Sequence, residues 1–441
     1  MTAATGAPRA GDTALPRKRL LGYAVGSVGT GVFSAVPGLL LLYYLTDVLG
    51  VSAAFAGVVL VLPKAWDVLL NPFVGAASDR EAVRTGRRTR LMLAGALSLP
   101  ILFAAMFAAP AAVWVMVAFL LAASAFSLFQ VPYVALPAEL SAVPAQRSRA
   151  MAWRIVALTL GILLAGGAAP AIVDAAGEGR AGYAVMGVVI GLVLGAALLT
   201  AALSTRWVES RPGPKQLGFA AALRLARGNR PFFALLGAFV VQSLAVAAML
   251  AGAPYAATYR LDDYGLTSVM FVCMVAPSAL AVPAWAELRR RYGMVRCYAV
   301  AVLLFALAAL ALFPALQSGT TWLVLALTAL VGVCYAAVQL IPLSLLPETV
   351  HADAGRTGHA QSGAFTGVWT AAETGALALG PGLFALLLAV TGFRSADFDA
   401  PVTQPESALT GLTAGYTLLP AVLLLASLPL LLAYERRTHA A

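Results

Sequence analysis

The sequence predicts an all-α membrane protein of about twelve spanning helices, and three observations predict it. The 441-residue chain is 61% hydrophobic and 11% charged, with a mean hydropathy of +0.88, whereas soluble domains carry about a quarter charged residues. So little polar surface cannot cover a water-soluble core of this size, and the bilayer becomes the natural solvent. Apolar blocks long enough to span, roughly 20 residues each, recur along the whole chain. Basic residues separate those blocks and concentrate on alternate loops.

Taken in order, the first block (20–46) follows Arg17, Lys18 and Arg19, and five basic residues from Arg80 to Arg90 separate the second (52–78) from the third (91–110). Arg147 and Arg149 lie between the fourth (112–137) and fifth (149–173), and Arg180 precedes the sixth (182–205). Six basic residues from Arg206 to Arg230 lead into the seventh (231–258), Arg260 follows it, and four from Arg289 to Arg296 mark the junction of the eighth (266–287) and ninth (293–315). The tenth (320–346) is followed by Arg356, the eleventh (361–391) by Arg394, and the twelfth (409–433) by Arg436 and Arg437. Of 29 basic residues, 24 then fall on the side of the N-terminus and three on the other. Such asymmetry predicts that both termini are cytoplasmic, and it accounts for the net charge of +10 without a nucleic-acid partner. The first block is too long, and its flank too polar, for a cleavable signal. Cys273, Cys297 and Cys334 have no metal or disulfide spacing and read as small hydrophobes.

The chain also repeats. FQVPYVALPAEL in the fourth span and VQLIPLSLLPET in the tenth each hold a Gln, two prolines five apart and a Glu. Pro132 and Pro137 precede Pro342 and Pro347 by 210 positions; Pro72 and Pro283, like Pro170 and Pro381, stand 211 apart. The expected organisation is a cytoplasmic tail (1–19), two parallel six-helix halves (20–205 and 231–434), a linker (206–230) and a short C-terminal tail (435–441). RPGPK in the linker reads as a turn, and Leu217, Phe219, Leu223 and Leu225 beside Arg224 and Arg227 suggest a short interfacial helix.

Within the second span, VLPKAWDVLLNPFVGAASDR places Lys64, Asp67 and Asn71 at spacings of three and four, hence on one helix face. Asp67 precedes Ser78 by eleven residues, which puts it roughly 16 Å deep at about 1.5 Å per residue. A lone charge there costs at least about 2.5 kcal/mol, so it must face protein or water. Glu373, twelve residues into the eleventh span, reaches a similar depth of roughly 18 Å. Both carboxylates are therefore expected to face a central cavity. Arg154, five residues past Arg149, either joins them or snorkels to the headgroups. Gln130, Tyr133, Gln242, Gln339, Thr366, Trp369 and Thr370 add uncharged polar groups at matching depths, though each alone is more often a packing contact. A salt-bridge network stapling the halves would also account for the four charges. Buried pairs stabilise poorly, however, and intramembrane charges mark pathways.

LLYYLTDVLGVSAAFAG, then WDVLLNPFVGAASDR with GRRTR, then QVPYVALPAEL followed by R-x-R-A-M-A-W-R, resemble the glycoside–pentoside–hexuronide:cation symporter family of the major facilitator superfamily, whose best-known branch is melibiose permease-like. The resemblance covers nearly the whole chain and is most specific in spans one to five. It implies two six-helix bundles, alternating access, and solute coupling to H⁺, Na⁺ or Li⁺. Asp67 matches the family's cation-site aspartate, Lys64 and Arg154 fall where basic residues stand, and Gly75, Asp79, Arg80, Gly86, Arg87 and Arg88 fit a loop that latches the cytoplasmic ends. This chain departs from melibiose-type members at Asn71, where they have a second acid. It departs again at Gly31 and Gln130, where they grip sugar with acids, and at Glu373, where they have a lysine.

The expected function is secondary active transport of a small organic solute, a sugar or glycoside, coupled through Asp67 and Asn71 to H⁺ or another monovalent cation. With a single carboxylate on that face, a proton is favoured over Na⁺. Lys64, Gln130, Tyr133, Arg154, Gln339, Trp369 and Glu373 are the expected cavity residues. Two alternatives are export or flipping of amphiphiles such as lysolipids, and a non-transporting membrane sensor, which ordinarily carries a soluble domain. No nucleophile–base pair, phosphate loop or metal cluster points to an enzyme. The expected partners are the solute and the bilayer of the cell membrane, the expected state is a monomer, and no cofactor beyond the coupling ion is called for.

Overall fold

The computed structural model describes residues 16–140, 143–209, 223, 228–357, 362–398 and 402–439. The described residues are almost entirely helical. Helix α1 (Arg17–Val36) continues into two π-helical turns, Pro37–Leu41 and Tyr44–Val48. There follow α2 (Ala53–Thr85), α3 (Thr89–Phe107), α4 (Ala112–Leu140), α5 (Pro144–Ala175) and α6 (Arg180–Ser204). After the linker come α7 (Arg230–Arg260), α8 (Leu266–Tyr292), α9 (Met294–Gln317), α10 (Thr321–Thr357) and α11 (Ser362–Val390). The last span is broken at Thr417 into α12 (Glu406–Tyr416) and α13 (Leu418–His439). Among the described residues twelve helical segments are long and apolar enough to cross a membrane.

Several helices outrun the apolar blocks that mark them. α2 continues seven residues past position 78 to Thr85, because hydropathy reports where lipid ends and not where the backbone unwinds. What stops α2 is Gly86, whose φ of 67° is left-handed and whose N–H donates to the Ala82 carbonyl at 2.9 Å. Apart from Leu223, the predicted interfacial helix of the linker lies outside the described residues.

Helices α1–α6 pack on one another, as do α7–α13, giving two six-span bundles. In each half, glycine lets backbones touch, as membrane packing requires. A Cβ on Gly161 of α5 would sit 2.3 Å from the Val28 carbonyl of α1, and one on Gly332 of α10 would sit 2.1 Å from the Met274 carbonyl of α8. The paired prolines of the sequence repeat sit inside helices six apart: Pro132 and Pro137 in α4 with Pro342 and Pro347 in α10, Pro72 in α2 with Pro283 in α8, and Pro170 in α5 with Pro381 in α11.

The halves meet at the end away from the termini. There Ala396 N–H donates to the Thr46 carbonyl at 3.0 Å, Leu49 bridges Asp397, and Arg180 pairs with Asp397 at 2.8 Å. At the same end a Cβ on Gly57 of α2 would be 3.1 Å from Ala385 of α11. Toward the terminal end α2 and α11 part, leaving an apolar groove of about 480 Å³ lined by Ala65, Val68 and Leu69 of α2 and by Val368 and Gly375 of α11. The halves are thus bonded to each other at the far end, and an apolar groove lies between α2 and α11 nearer the end that carries the termini.

Candidate functional site

The polar face of α2 is stitched to α4. Trp66 Nε1 donates to Ser124 at 2.9 Å, and Ser127, one turn further on, donates to the Asp67 carboxylate. Asp67 is buried, whereas its chain neighbours Trp66 and Val68 are exposed, as a helix with one interior face dictates. One turn earlier the Lys64 ammonium lies 5.9 Å from the Phe33 ring of α1 and interacts electrostatically with Asp67. Asn71, one turn later on the same face, is half-buried.

Beside this face, Tyr133 of α4 donates to the Tyr23 carbonyl at 2.8 Å and bonds Ser27 at 2.9 Å. Arg154 turns inward instead of snorkelling, its guanidinium 5.3 Å from the Tyr133 ring. The side-chain oxygen of Gln130 is buried with no hydrogen-bond partner. Gly31 leaves no room for a side chain, because a Cβ there would lie 2.6 Å from the Leu158 carbonyl. An acid at that position of α1 would collide with α5.

In the other half, Glu373 of α11 is half-buried and interacts electrostatically with Tyr335 of α10. Trp369 is 2% exposed and stacks on Phe239 at 4.6 Å, so it forms core wall and does not line an open cavity. Gln242 accepts from Tyr298 at 2.5 Å and donates to Ser427 at 2.9 Å, a closed packing network of α7, α9 and α13. Among the described residues no two of Lys64, Asp67, Arg154 and Glu373 form an ion pair. Each half holds its own charges, so no salt bridge among these four staples the two halves together.

At the terminal end of the first half, Arg88 is the buried cation of the loop between α2 and α3. It is 6% exposed and pairs with Asp79 at 2.7 Å and with Glu139 of α4 at 3.1 Å, and it donates to Ser78 at 2.8 Å. Arg80 and Arg87 are exposed. Gly75 faces α4, but a Cβ there would lie in ordinary contact, 3.9 Å from Val131, so the packing does not require a glycine. Glu81 accepts from the N–H groups of Arg90 and Leu91 at 2.7 and 3.1 Å, satisfying the start of α3. Glu139 was visible in the sequence as the acid closing VPYVALPAEL, but its partner lies 51 positions away.

A second buried acid went unread in the sequence. Asp47 lies on the last π turn of α1, where its carboxyl accepts from Tyr259 of α7 and, at 2.5 Å, from Thr46. Thr46 also bonds Tyr255 of α7 at 2.6 Å. The signal was an acid at the edge of the first apolar block, in YYLTDVLG; nothing in the sequence says that the opposite half covers it.

Two six-span helical bundles joined at one end, with carboxylates buried within the spans and a buried arginine paired with two acids at the other end, have the architecture of an alternating-access transporter. A family model described as MFS/sugar transport protein matches residues 22–435, and the chain belongs to that family. It is 25% identical, over 94% of its length and 93% of the relative's, to an uncharacterized symporter of Synechocystis sp.. It is 28% identical to a putative glycoside/cation symporter of Escherichia coli over 39% of each chain. In fold it matches a bacterial homolog of the human lysosomal transporter Spinster in an inward-facing, unoccupied conformation, with a TM-score of 0.70 and 14% identity over 95% of this chain and 96% of that one. That likeness establishes the major facilitator fold.

Proposed function

We propose that the protein is a symporter that carries a small polyhydroxylated solute, a sugar or glycoside, together with one proton. The observation that carries this reading is Asp67: a carboxylate buried in a membrane span, held by one serine and facing one lysine, in a chain of the sugar-transport family. A glycoside/cation symporter among its relatives supports the solute class. The basic residues support a cytoplasmic location for the terminal end, so the conformation described here is open to the cytoplasm.

Asp67 is the proton carrier in this reading, since one proton neutralises a single carboxylate whereas Asn71 leaves Na⁺ short of anionic ligands. Gln130 offers its unsatisfied oxygen to a solute hydroxyl, and Glu373 offers acceptors from the opposite half. Arg88, Asp79 and Glu139 hold the cytoplasmic ends of α2, α3 and α4 together as the halves rock. The test is uptake of a panel of labelled sugars, glycosides and polyols into proteoliposomes under imposed H⁺ or Na⁺ gradients. Accumulation driven by H⁺ and indifferent to Na⁺ is expected. A strict Na⁺ requirement, or no uptake of any polyhydroxylated solute, would overturn the reading.

A further inference from the structure

Asp47 has no place in the proton and solute path just described, yet it is the acid most completely closed off by the opposite half. It sits on a π-helical turn, a distortion frequent at functional sites, and its bond from Tyr259, like that of its neighbour Thr46 to Tyr255, crosses from this segment to α7. Every titratable group facing it is a neutral hydroxyl. Tyr43 is on its own segment, Tyr255 and Tyr259 are on α7, and Tyr183 is on α6. Tyr264, bonded to Tyr183 at 2.9 Å, stands behind these with Asp174 and Glu178 near it. The nearest cation of the far-end contacts described above, Arg180, is committed to Asp397, and among the described residues none pairs with Asp47.

We propose that Asp47 is a second proton-binding site, built into the far-end gate, which holds a proton while the gate is shut and releases it to the external water when the gate opens. The proposal rests on the alternating-access reading above. A carboxyl sealed among hydroxyls and aromatic rings without a counter-charge is better accommodated neutral, and in its neutral form it adds a donor to the interface. Opening exposes it to water, where it ionises. Burial pushes the closed-state value up to about 7, against about 4 for an exposed Asp. The sign follows: below about pH 4 both forms are protonated and the gate is indifferent to pH. Between about 4 and 7 each unit of rising pH favours the open form by up to tenfold, and above about 7 the effect levels off.

The experiment uses spin-label pairs in full-length protein in nanodiscs, with Cys273, Cys297 and Cys334 replaced by alanine. One pair, at Ala111 and Gln317, spans the far end, and another, at Val83 and Tyr292, spans the terminal end. Between pH 5 and 7 the far-end distances should gain a longer component while the terminal-end pair shortens, with little change from pH 7 to 8.5. D47N, matched to the parent in yield and elution, should remove that dependence. Tyr259→Phe takes away a hydrogen bond that favours the ionised form, so it should carry the pH-dependent window above 7. Interconversion that ignores pH in the parent, or that titrates unchanged in Asp47→Asn, would overturn the site while leaving alternating access standing. Two ends that stay fixed under every condition would overturn the transport cycle and the site together.

Discussion

The clearest unfilled bond in the site belongs to Gln130, whose side-chain oxygen is buried without a donor. Leaving such an acceptor unmet costs about 1–3 kcal/mol, which a solute hydroxyl can recover on binding. Gln130→Leu, of similar volume and unable to accept, is therefore expected to raise the KM for the transported solute about tenfold, equivalent to ~1.4 kcal/mol. The maximal rate in proteoliposomes should be nearly unchanged, and an unaltered KM would remove Gln130 from the solute path. At this scale the sequence is a partial guide. An amide or acid in an apolar span declares itself by its cost, so Asp67, Glu373 and Gln130 were legible. Trp369 was not, because a tryptophan facing a solute and one stacked on Phe239 are spelled alike. Asp47 was missed for the opposite reason: at the edge of a span an acid reads as solvated until the partner half is seen to cover it.

Helix crossings depend on glycines that periodicity does not single out. Gly161→Ala places a methyl group against the Val28 backbone, where no rotamer change can relieve it, so a loss of about 1–3 kcal/mol is expected. Gly367→Ala, with open space around it, is the control and should melt at or above the parental temperature in the same detergent. The latch makes a second element-scale prediction. Arg88 joins the end of α2 to α4, so Arg88→Ala should slow transport severalfold at equal protein levels, whereas Arg87→Ala, altering an exposed side chain, should leave the rate near parental. Equal rates in the two variants would count against the latch. The positions of the spans were readable, since lipid imposes their length, but not every helix end, for α2 runs on to Thr85 and α10 to Thr357. Which arginine of GRRTR turns inward was not, because Glu139 fixes it from a helix distant in sequence.

At the scale of the whole molecule, the offset of the prolines exposed two halves, but nothing in the sequence states which end is shut, since one chain must support both arrangements. The closed far end and the groove between α2 and α11 supply that information, and they bear on how Asp67 couples. Neither Asp67 nor Glu373 is ion-paired to the opposite half, so at their level the halves can part without breaking an ion pair, whereas opening the far end must release Arg180 from Asp397. In the proposed proton-coupled reading, protonation of Asp67 changes the net charge of the Lys64–Asp67 pair and so the cost of moving it through a low-dielectric interior. Asp67→Asn preserves the volume and an acceptor for Ser127 but removes the titratable group. It is expected to lose accumulation driven by an imposed proton gradient at least tenfold, while downhill exchange of labelled solute continues at a rate near the parental one. Both are measured in the same proteoliposomes. Accumulation that survives the substitution would place coupling on another residue, and loss of exchange along with accumulation would make Asp67 part of the solute site or of the fold.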